Sequence, residues 1–220
     1  MVAIELISNA IRPIKTSDTI QKVADCMAEF RVNQLPIVRG KQFLGLISEN
    51  DFTDVSDYSL PVSAINLSAI HPYVTENQHV YDVIRVFNDQ KLSVLPILDH
   101  NMDYLGVITI NEIIEDIASL TSVAQPGGII VLEIGNRDNS LAHIAQIVES
   151  ENAQILSSYT NSLADSTKIE VTLKVNKTDI SQIVASFLRY EYVVIATYNY
   201  VEKDSGASDR FDSFMNYLSF

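Results

Sequence analysis

Apolar and polar positions follow the same pattern in two stretches of the chain. The first stretch consists of residues 35–38 (LPIV), a polar turn and residues 43–48 (FLGLIS), and the second of residues 95–98 (LPIL), a polar turn and residues 104–109 (YLGVIT). Each copy predicts two strands joined by a hairpin turn and followed by the polar start of a helix. A unit that recurs in this way usually buries its apolar face against another copy.

A helix is predicted before each hairpin, because apolar residues recur there at i, i+3, i+4 and i+7. These residues are Ile20, Val23, Ala24 and Met27 in the first copy and Val80, Val83, Ile84 and Phe87 in the second. A segment that begins with proline, residues 13–16 or 72–75, precedes each helix. We expect a short leading helix over residues 3–10 and two repeats, at about 10–56 and 70–120, that form a tandem pair over residues 1–122.

A different pattern begins after residues 121–128 (TSVAQPGG), a stretch of small residues, proline and glycine that is typical of a domain boundary. Strands and two helix faces then follow in the order βαββαβ over residues 127–201, which predicts the ferredoxin-like arrangement. Because both helices cover one face of that sheet, we expect a partner subunit or another domain on the other face. Residues 203–220 carry apolar side chains at helical spacing and predict a tail with a short helix.

Composition narrows the classes of function. A net charge of −13 repels a phosphate backbone, so we expect no nucleic-acid partner. No uncharged apolar run reaches about 18 residues, which a spanning helix needs, so we expect no membrane association. The single cysteine, Cys26, cannot form an internal disulfide, and a cytoplasmic location is the expectation.

The sequence contains no pattern typical of a catalytic or metal site. The four histidines are not spaced as paired metal ligands, and no cysteine pair accompanies them. Nucleophile elbows, phosphate-binding loops and dinucleotide fingerprints are absent from the chain. We therefore expect a protein that is not an enzyme and that requires no cofactor or metal.

The two hairpin stretches resemble a tandem pair of CBS domains, a Bateman module, because strand, turn, glycine, hydroxyl and acid recur in order in both copies. Residues 127–201 are similar to an ACT domain in their topology and in the loop of residues 137–142 (RDNSLA). The whole order resembles the small acetoin-utilisation-type regulatory proteins of bacteria. The fold class that follows is α/β (α+β), with two paired β-β-α repeats and a ferredoxin-like βαββαβ domain.

The resemblance to CBS domains implies an adenosine-containing regulatory ligand, such as AMP, ADP, ATP or S-adenosylmethionine. In that family the hydroxyl of the Gly-h-h-(Ser/Thr)-x-x-Asp motif lies near phosphate, the acid pairs with ribose hydroxyls, and backbone ahead of the Leu-Pro strand reads the adenine. Carried over to this chain, the expected first site consists of Lys15, Thr16, Asn33, Leu35, Ser48 and Asp51. The expected second site consists of Thr75, Ser93, Leu95, Thr109 and Glu112.

The same acids allow a second interpretation that involves no ligand. Glu112 stands where the family pattern has Asp, and Thr109-x-x-Glu112 is the sequence of a capping box, in which each side chain satisfies the other residue's backbone N–H. Ser48-x-x-Asp51 has the same two interpretations. The cations expected near the first site are Lys15, Arg31 and Arg39, and those expected near the second are Arg85 and Lys91. Because acids crowd both helices, a mono- or diphosphate, or an adenosine ligand with an uncharged tail, fits better than a triphosphate.

For the ACT-like domain, the resemblance implies amino-acid binding at a subunit interface through the loop that holds Asp138 and Asn139. Asn139 stands where the family usually has glycine, and its side chain occupies space that glycine leaves for a ligand. We therefore expect this domain to hold two chains together as a homodimer. Three functions stay open: a sensor of an adenosine ligand, a ligand-free scaffold that acts through an unknown protein partner, and an amino-acid sensor.

Overall fold

The computed structural model describes residues 1–8, 10–65, 71–135, 140–162 and 167–198. The chain divides into two compact units, Met1–Ile117 and Ala118–Phe220. The predicted fold class is confirmed, since two similar three-stranded sheets are followed by a four-stranded sheet with two helices. The exact domain boundaries expected from the sequence stay predictions, and the predicted tail helix lies outside the described residues.

Each repeat of the first unit is a three-stranded sheet with a helix between its first two strands. The first repeat contains β1 (Ile14–Lys15), α1 (Ile20–Phe30), β2 (Gln34–Arg39) and β3 (Gln42–Ser48). The second contains β4 (Val74–Thr75), α2 (Val80–Gln90), β5 (Val94–Leu98), β6 (Tyr104–Thr109) and α3 (Ile110–Leu120). In both sheets the short first strand is parallel to the middle strand, and the other two strands form an antiparallel hairpin.

The two repeats differ after their hairpins, although the sequence predicts a helix in both places. In the second repeat α3 follows, whereas in the first repeat two short 3-10 turns follow, Glu49–Asp51 and Val62–Ala64. The segment between these turns provides acceptors for the free N–H groups at the start of α1. Ile20 N–H donates to the carbonyl of Leu60 at 3.0 Å, and Gln21 N–H donates to that of Tyr58 at 2.9 Å. The leading helix is likewise shorter than predicted, a 3-10 turn at Ala3–Leu6.

The N-terminal segment packs against the second repeat. Ala3 and Leu6 are buried in the same core as the apolar residues of α2 and β5. Ser8 N–H donates to the carbonyl of Val107 in β6 at 2.8 Å. Ile7 lies directly over Gly106, so a Cβ at that position would come within 2.8 Å of the Ile7 Cγ2 atom. The segment that precedes the first repeat therefore completes the second one.

The converse contact is made by His71, which lies in the segment ahead of β4. A Cβ on Gly45 in β3 would come within 2.3 Å of the His71 Nδ1 atom. Gly45 also has φ +143, a conformation that residues with a side chain rarely adopt. The glycine that recurs in both sequence copies thus makes room for a segment from the other repeat.

The second unit has the ferredoxin-like order that the sequence predicts. Its elements are β7 (Gly128–Gly135), α4 (Leu141–Ser150), β8 (Ile155–Ser162), β9 (Lys168–Val175), α5 (Ser181–Arg189) and β10 (Val193–Tyr198). The strands are antiparallel neighbours in the order β10-β7-β9-β8. One face of the sheet packs against both helices in a single core, whereas the opposite face keeps Tyr159 and Tyr198 58% and 60% exposed.

Replacing Gly45 by alanine is expected to lower the free energy of unfolding by roughly 2–3 kcal/mol, because the methyl group meets the His71 ring while the backbone stays at positive φ. The free energy of unfolding is measured by urea titration. Gly40 is the matched control, since its φ is +64 but no atom lies within 4 Å of its Cβ position. Gly40→Ala should cost about 1 kcal/mol, and equal losses in the two variants would contradict the proposed contact.

Candidate functional site

The first hydroxyl-and-acid corner, at Ser48 and Asp51, has the geometry of a capping box. Ser48 N–H donates to the Asp51 Oδ2 atom at 2.6 Å, and the Ser48 hydroxyl donates to the same atom at 2.7 Å. One carboxylate oxygen of Asp51 is therefore turned towards its own turn. The structure thus shows the capping contact that the sequence allowed as an alternative to ligand binding.

The second corner, at Thr109 and Glu112, repeats this arrangement at the start of α3. Thr109 N–H donates to the Glu112 Oε2 atom at 3.0 Å, and the Thr109 hydroxyl donates to the same oxygen. Burial alone would raise the pKa of Glu112, but hydrogen bonds from the hydroxyls of Thr109 and Ser8 outweigh it and hold that pKa below its ordinary value. Glu112 is therefore a carboxylate at neutral pH.

A cavity of about 340 Å³ opens beside this second corner. Its lining includes Thr109 and Glu112 together with Ser93, the residue that precedes β5. Three of the residues that the sequence assigned to the second site are therefore brought together. The described lining also contains Ser8, Ile11 and Arg31.

Those last three residues come from the first repeat and the segment ahead of it. Ser8 and Ile11 reach the cavity because the N-terminal segment runs along β6, where Ser8 binds the backbone of Val107. Arg31 reaches it from the C-terminal end of α1. The sequence placed Arg31 near the first corner, and the structure instead places it in the cavity of the second.

Hydrogen bonds join the two corners across the pair of repeats. The Ser93 hydroxyl accepts from Asn33 N–H at 3.1 Å and donates to the Gln34 Oε1 atom at 3.0 Å. The Gln34 Oε1 atom also accepts from Ser93 N–H at 2.9 Å. The backbone carbonyl of Asn33 in turn accepts a hydrogen bond of 3.4 Å from the N–H of Glu49, the residue next to Ser48 of the first corner.

Several residues assigned to the sites from the sequence lie elsewhere. In the first sheet, Lys15 pairs with Val38 near the C-terminal end of β2, whereas Ser48 pairs with Gln34 at the N-terminal end of that strand. In the second sheet, Thr75 pairs with Leu98 at the C-terminal end of β5, whereas Thr109 pairs with Val94 at its N-terminal end. Lys15, Thr16 and Thr75 therefore lie at the opposite ends of their sheets from the two corners.

The side chains of Leu35 and Leu95 are fully buried, each with 0% exposure. They lie in the cores of their repeats, in the middle strand of each sheet. Only backbone atoms of these two residues are left for contact with a ligand.

A second cavity, of about 470 Å³, lies within the second unit. It is lined by His143, Tyr190 and Tyr192 and by an ion pair in which the Lys168 Nζ atom lies 2.5 Å from the Glu133 Oε1 atom. The His143 Nδ1 atom shares a hydrogen bond of 2.9 Å with the Tyr192 hydroxyl. Asp138 and Asn139, the effector-loop residues expected from the sequence, lie outside the described residues.

In the part of the chain that the structure describes, no group of three or more His, Cys, Asp or Glu side chains is arranged to hold a metal ion. Nor does any described helix have both the length and the apolar character needed to cross a membrane.

Among characterised proteins, the chain is 26% identical over 105 residues to inosine-5'-monophosphate dehydrogenase of Aquifex aeolicus, a match that covers 46% of this chain and 21% of that enzyme. The same enzyme of Streptococcus pyogenes is 24% identical over 97 residues, which cover 43% of this chain and 20% of the enzyme. The chain thus spans about a fifth of the length of the curated relatives it matches.

Solved structures with a similar fold include a CBS domain pair/ACT domain protein from Thermotoga maritima. It has a TM-score of 0.48 and 19% identity, over 53% of this chain and 96% of that chain. The CBS domain of a bacterial CNNM/CorC family Mg²⁺ transporter in complex with ATP has a TM-score of 0.43 and 19% identity, over 54% of this chain and 87% of that chain.

The repeat pattern, the paired sheets and the glycine contacts agree with a direct family match. The CBS domain model matches residues 3–58 and 63–119, which make up more than half of the 220 residues. The chain therefore belongs to the CBS domain family, with two CBS domains in tandem.

Proposed function

We propose that this protein is a cytoplasmic regulatory protein, not an enzyme, whose CBS pair binds an adenine nucleotide or a related adenosine ligand. Its second unit, which we propose is an ACT domain, joins two chains. This domain order resembles the acetoin-utilisation-type regulatory proteins. The net charge of −13 supports a small ligand and a protein partner in preference to nucleic acid.

The observation that carries this proposal is the cavity of about 340 Å³ at the second corner. It combines a carboxylate, a hydroxyl and a guanidinium with the apolar side chain of Ile11. These are the groups needed for the vicinal hydroxyls, the phosphate and the base of a nucleotide. The volume lies near the lower end of the range typical of small-molecule sites, which begins at about 300 Å³.

The capping contact at Glu112 is compatible with ligand binding. A carboxylate has about four lone-pair positions, and Thr109 uses one oxygen, Oε2, for its two hydrogen bonds. Ribose hydroxyls would donate to the lone-pair positions that remain on the Glu112 carboxylate, which lines the cavity. The cap of α3 would then stay intact.

The ligand is tested by thermal unfolding of the full chain with AMP, ADP, ATP, S-adenosylmethionine, adenosine and a panel of amino acids. An adenosine ligand present at about 100 times its dissociation constant should add about 2.7 kcal/mol to the free energy of unfolding. Glu112→Gln should lower the affinity for the ligand about tenfold and so reduce the stabilisation that the ligand gives. Glutamine keeps the capping geometry but accepts ribose hydroxyls without a charge.

Glu115→Gln is the matched control, because it removes the same charge from the same helix and Glu115 is not among the residues that line the cavity. Its ligand response should equal that of the wild type. If none of the adenosine compounds changes the unfolding temperature, the sensor is refuted and the ligand-free scaffold takes its place.

Dimerisation through the second unit is supported by the open face of its sheet. Tyr159 in β8 and Tyr198 in β10 are largely exposed there, and Ile129 lies on the same face because it pairs directly with Tyr198. These three residues also line an apolar depression of about 450 Å³. The two helices cover only one face of the sheet, and a second copy of the chain would cover the other.

Sedimentation velocity tests this part of the proposal. The wild type should sediment as a dimer, and Tyr159→Glu should sediment as a monomer at the same concentration, because the new charge would be buried without a partner. Tyr81→Glu, at a position in α2 that is 72% exposed, should stay dimeric. A monomeric wild type, or a dimeric Tyr159→Glu variant, would refute dimerisation through this face.

Amino-acid sensing is a second candidate, and the cavity at His143 favours it. Lys168 and Glu133 form an ion pair there, and a zwitterionic amino acid would exchange it for two new pairs, its carboxylate with Lys168 and its ammonium group with Glu133. In the same thermal experiment, stabilisation by an amino acid alone would support this candidate over the adenosine sensor.

A further inference from the structure

The depression of about 450 Å³ on the open face of the second unit's sheet has the size of a small-molecule site, a range that begins at about 300 Å³. Its floor includes a row of residues that pair across neighbouring strands, in which Tyr198 pairs with Ile129 and Ile129 pairs with Lys174. Tyr159 lines the depression from β8, the edge strand on the far side of β9. The depression thus combines an apolar floor with two tyrosines and one lysine.

The segment that follows α3 contributes one side of this depression. The Ser157 hydroxyl donates to the backbone carbonyl of Thr121 at 3.0 Å, and the Lys174 Nζ atom donates to that of Val123 at 3.2 Å. Thr121 and Val123 both line the depression, so these two bonds hold its side against the sheet. The bond to Val123 also places the Lys174 ammonium group at the depression itself.

Lys174 is the only charged residue in the described lining. It takes part in none of the ion pairs that the described residues form. A lysine on an open sheet face usually extends its ammonium group into water, whereas Lys174 is half-buried and its ammonium group is turned towards a backbone carbonyl. That carbonyl accepts a hydrogen bond but neutralises no charge, so the ammonium group can still pair with an anion.

We infer that the depression binds a small aromatic monocarboxylate, whose ring lies over Ile129 beside the two tyrosines and whose carboxylate pairs with Lys174. Aromatic rings pack favourably against tyrosine rings, and an ammonium group forms a charge-assisted hydrogen bond with a carboxylate. Because the described lining contains no carboxylate, the ammonium group of an aromatic amino acid would find no partner there. The depression therefore favours an acid without an amino group.

This ligand would compete with a second copy of the chain, because both would cover Tyr159 and Tyr198. Only this consequence rests on the proposed function, since the depression is formed within the second unit of one chain. A ligand that binds the monomer alone shifts the equilibrium away from the dimer. The depression would then be a second effector site, which controls assembly.

Calorimetric titration of the full chain with phenylpropionate, phenylpropanol and phenylalanine tests the inference. Phenylpropionate should bind about tenfold more tightly than either of the others. Lys174→Met should weaken phenylpropionate binding about 10- to 100-fold, as expected for the loss of a charge-assisted hydrogen bond, and should abolish the preference over phenylpropanol. Lys174→Arg should keep most of the affinity, because the positive charge remains.

Lys168→Met is the matched control, since it removes the same charge from the same strand and Lys168 is not among the residues that line the depression. Its affinity for phenylpropionate should equal that of the wild type. Equal losses in Lys174→Met and Lys168→Met, tighter binding of phenylalanine than of phenylpropionate, or no binding of phenylpropionate to the wild type would each overturn the inference.

Sedimentation velocity of the wild type with saturating phenylpropionate tests the competition. The chain should sediment as a monomer with the ligand and as a dimer without it. A dimer that persists while phenylpropionate is bound would contradict the competition. A wild type that is monomeric without ligand would refute the proposed dimer, whereas the calorimetric result would still decide whether the depression binds the acid.

Discussion

The contact between each leading segment and the glycine of the other repeat is the constraint on which the first unit depends. Ile7 lies over Gly106, and His71 lies over Gly45, at distances that leave no room for a side chain on either glycine. The core of the first repeat also contains Val94 and Val107 from the second, both fully buried. Neither repeat can therefore close its apolar core alone, which is the physical reason that the repeats occur as a pair.

The same exchange of segments creates the candidate site. Ser8 and Ile11 reach the Thr109 corner because the N-terminal segment runs along β6. A ligand in that cavity would contact residues from both repeats, and its binding would depend on how the repeats are placed. A ligand with different affinity for two placements shifts the balance between them, which is the requirement for a regulatory switch.

The sequence predicted most of the elements and three of the residues that line the candidate cavity, Ser93, Thr109 and Glu112. What it predicted depends on local contacts, and what it missed depends on contacts between distant segments. Helices such as α1 and hairpins such as β2–β3 follow from the spacing of neighbouring residues, and so does the cap formed by Thr109 and Glu112. The positions of Ser8 and Arg31 depend on which segment crosses to which repeat. No periodicity in the sequence encodes that crossing, so Ser8 was not among the residues expected at the second site.

Amide hydrogen exchange of the full chain, with and without saturating AMP, tests most directly whether the N-terminal segment and the second corner form one binding site. AMP should slow exchange at Ser8, Ile11, Arg31 and residues 109–112 together, because one ligand would order groups from both repeats. Protection confined to the second unit, or no change at either Ser8 or Thr109, would contradict a single binding site made by these residues.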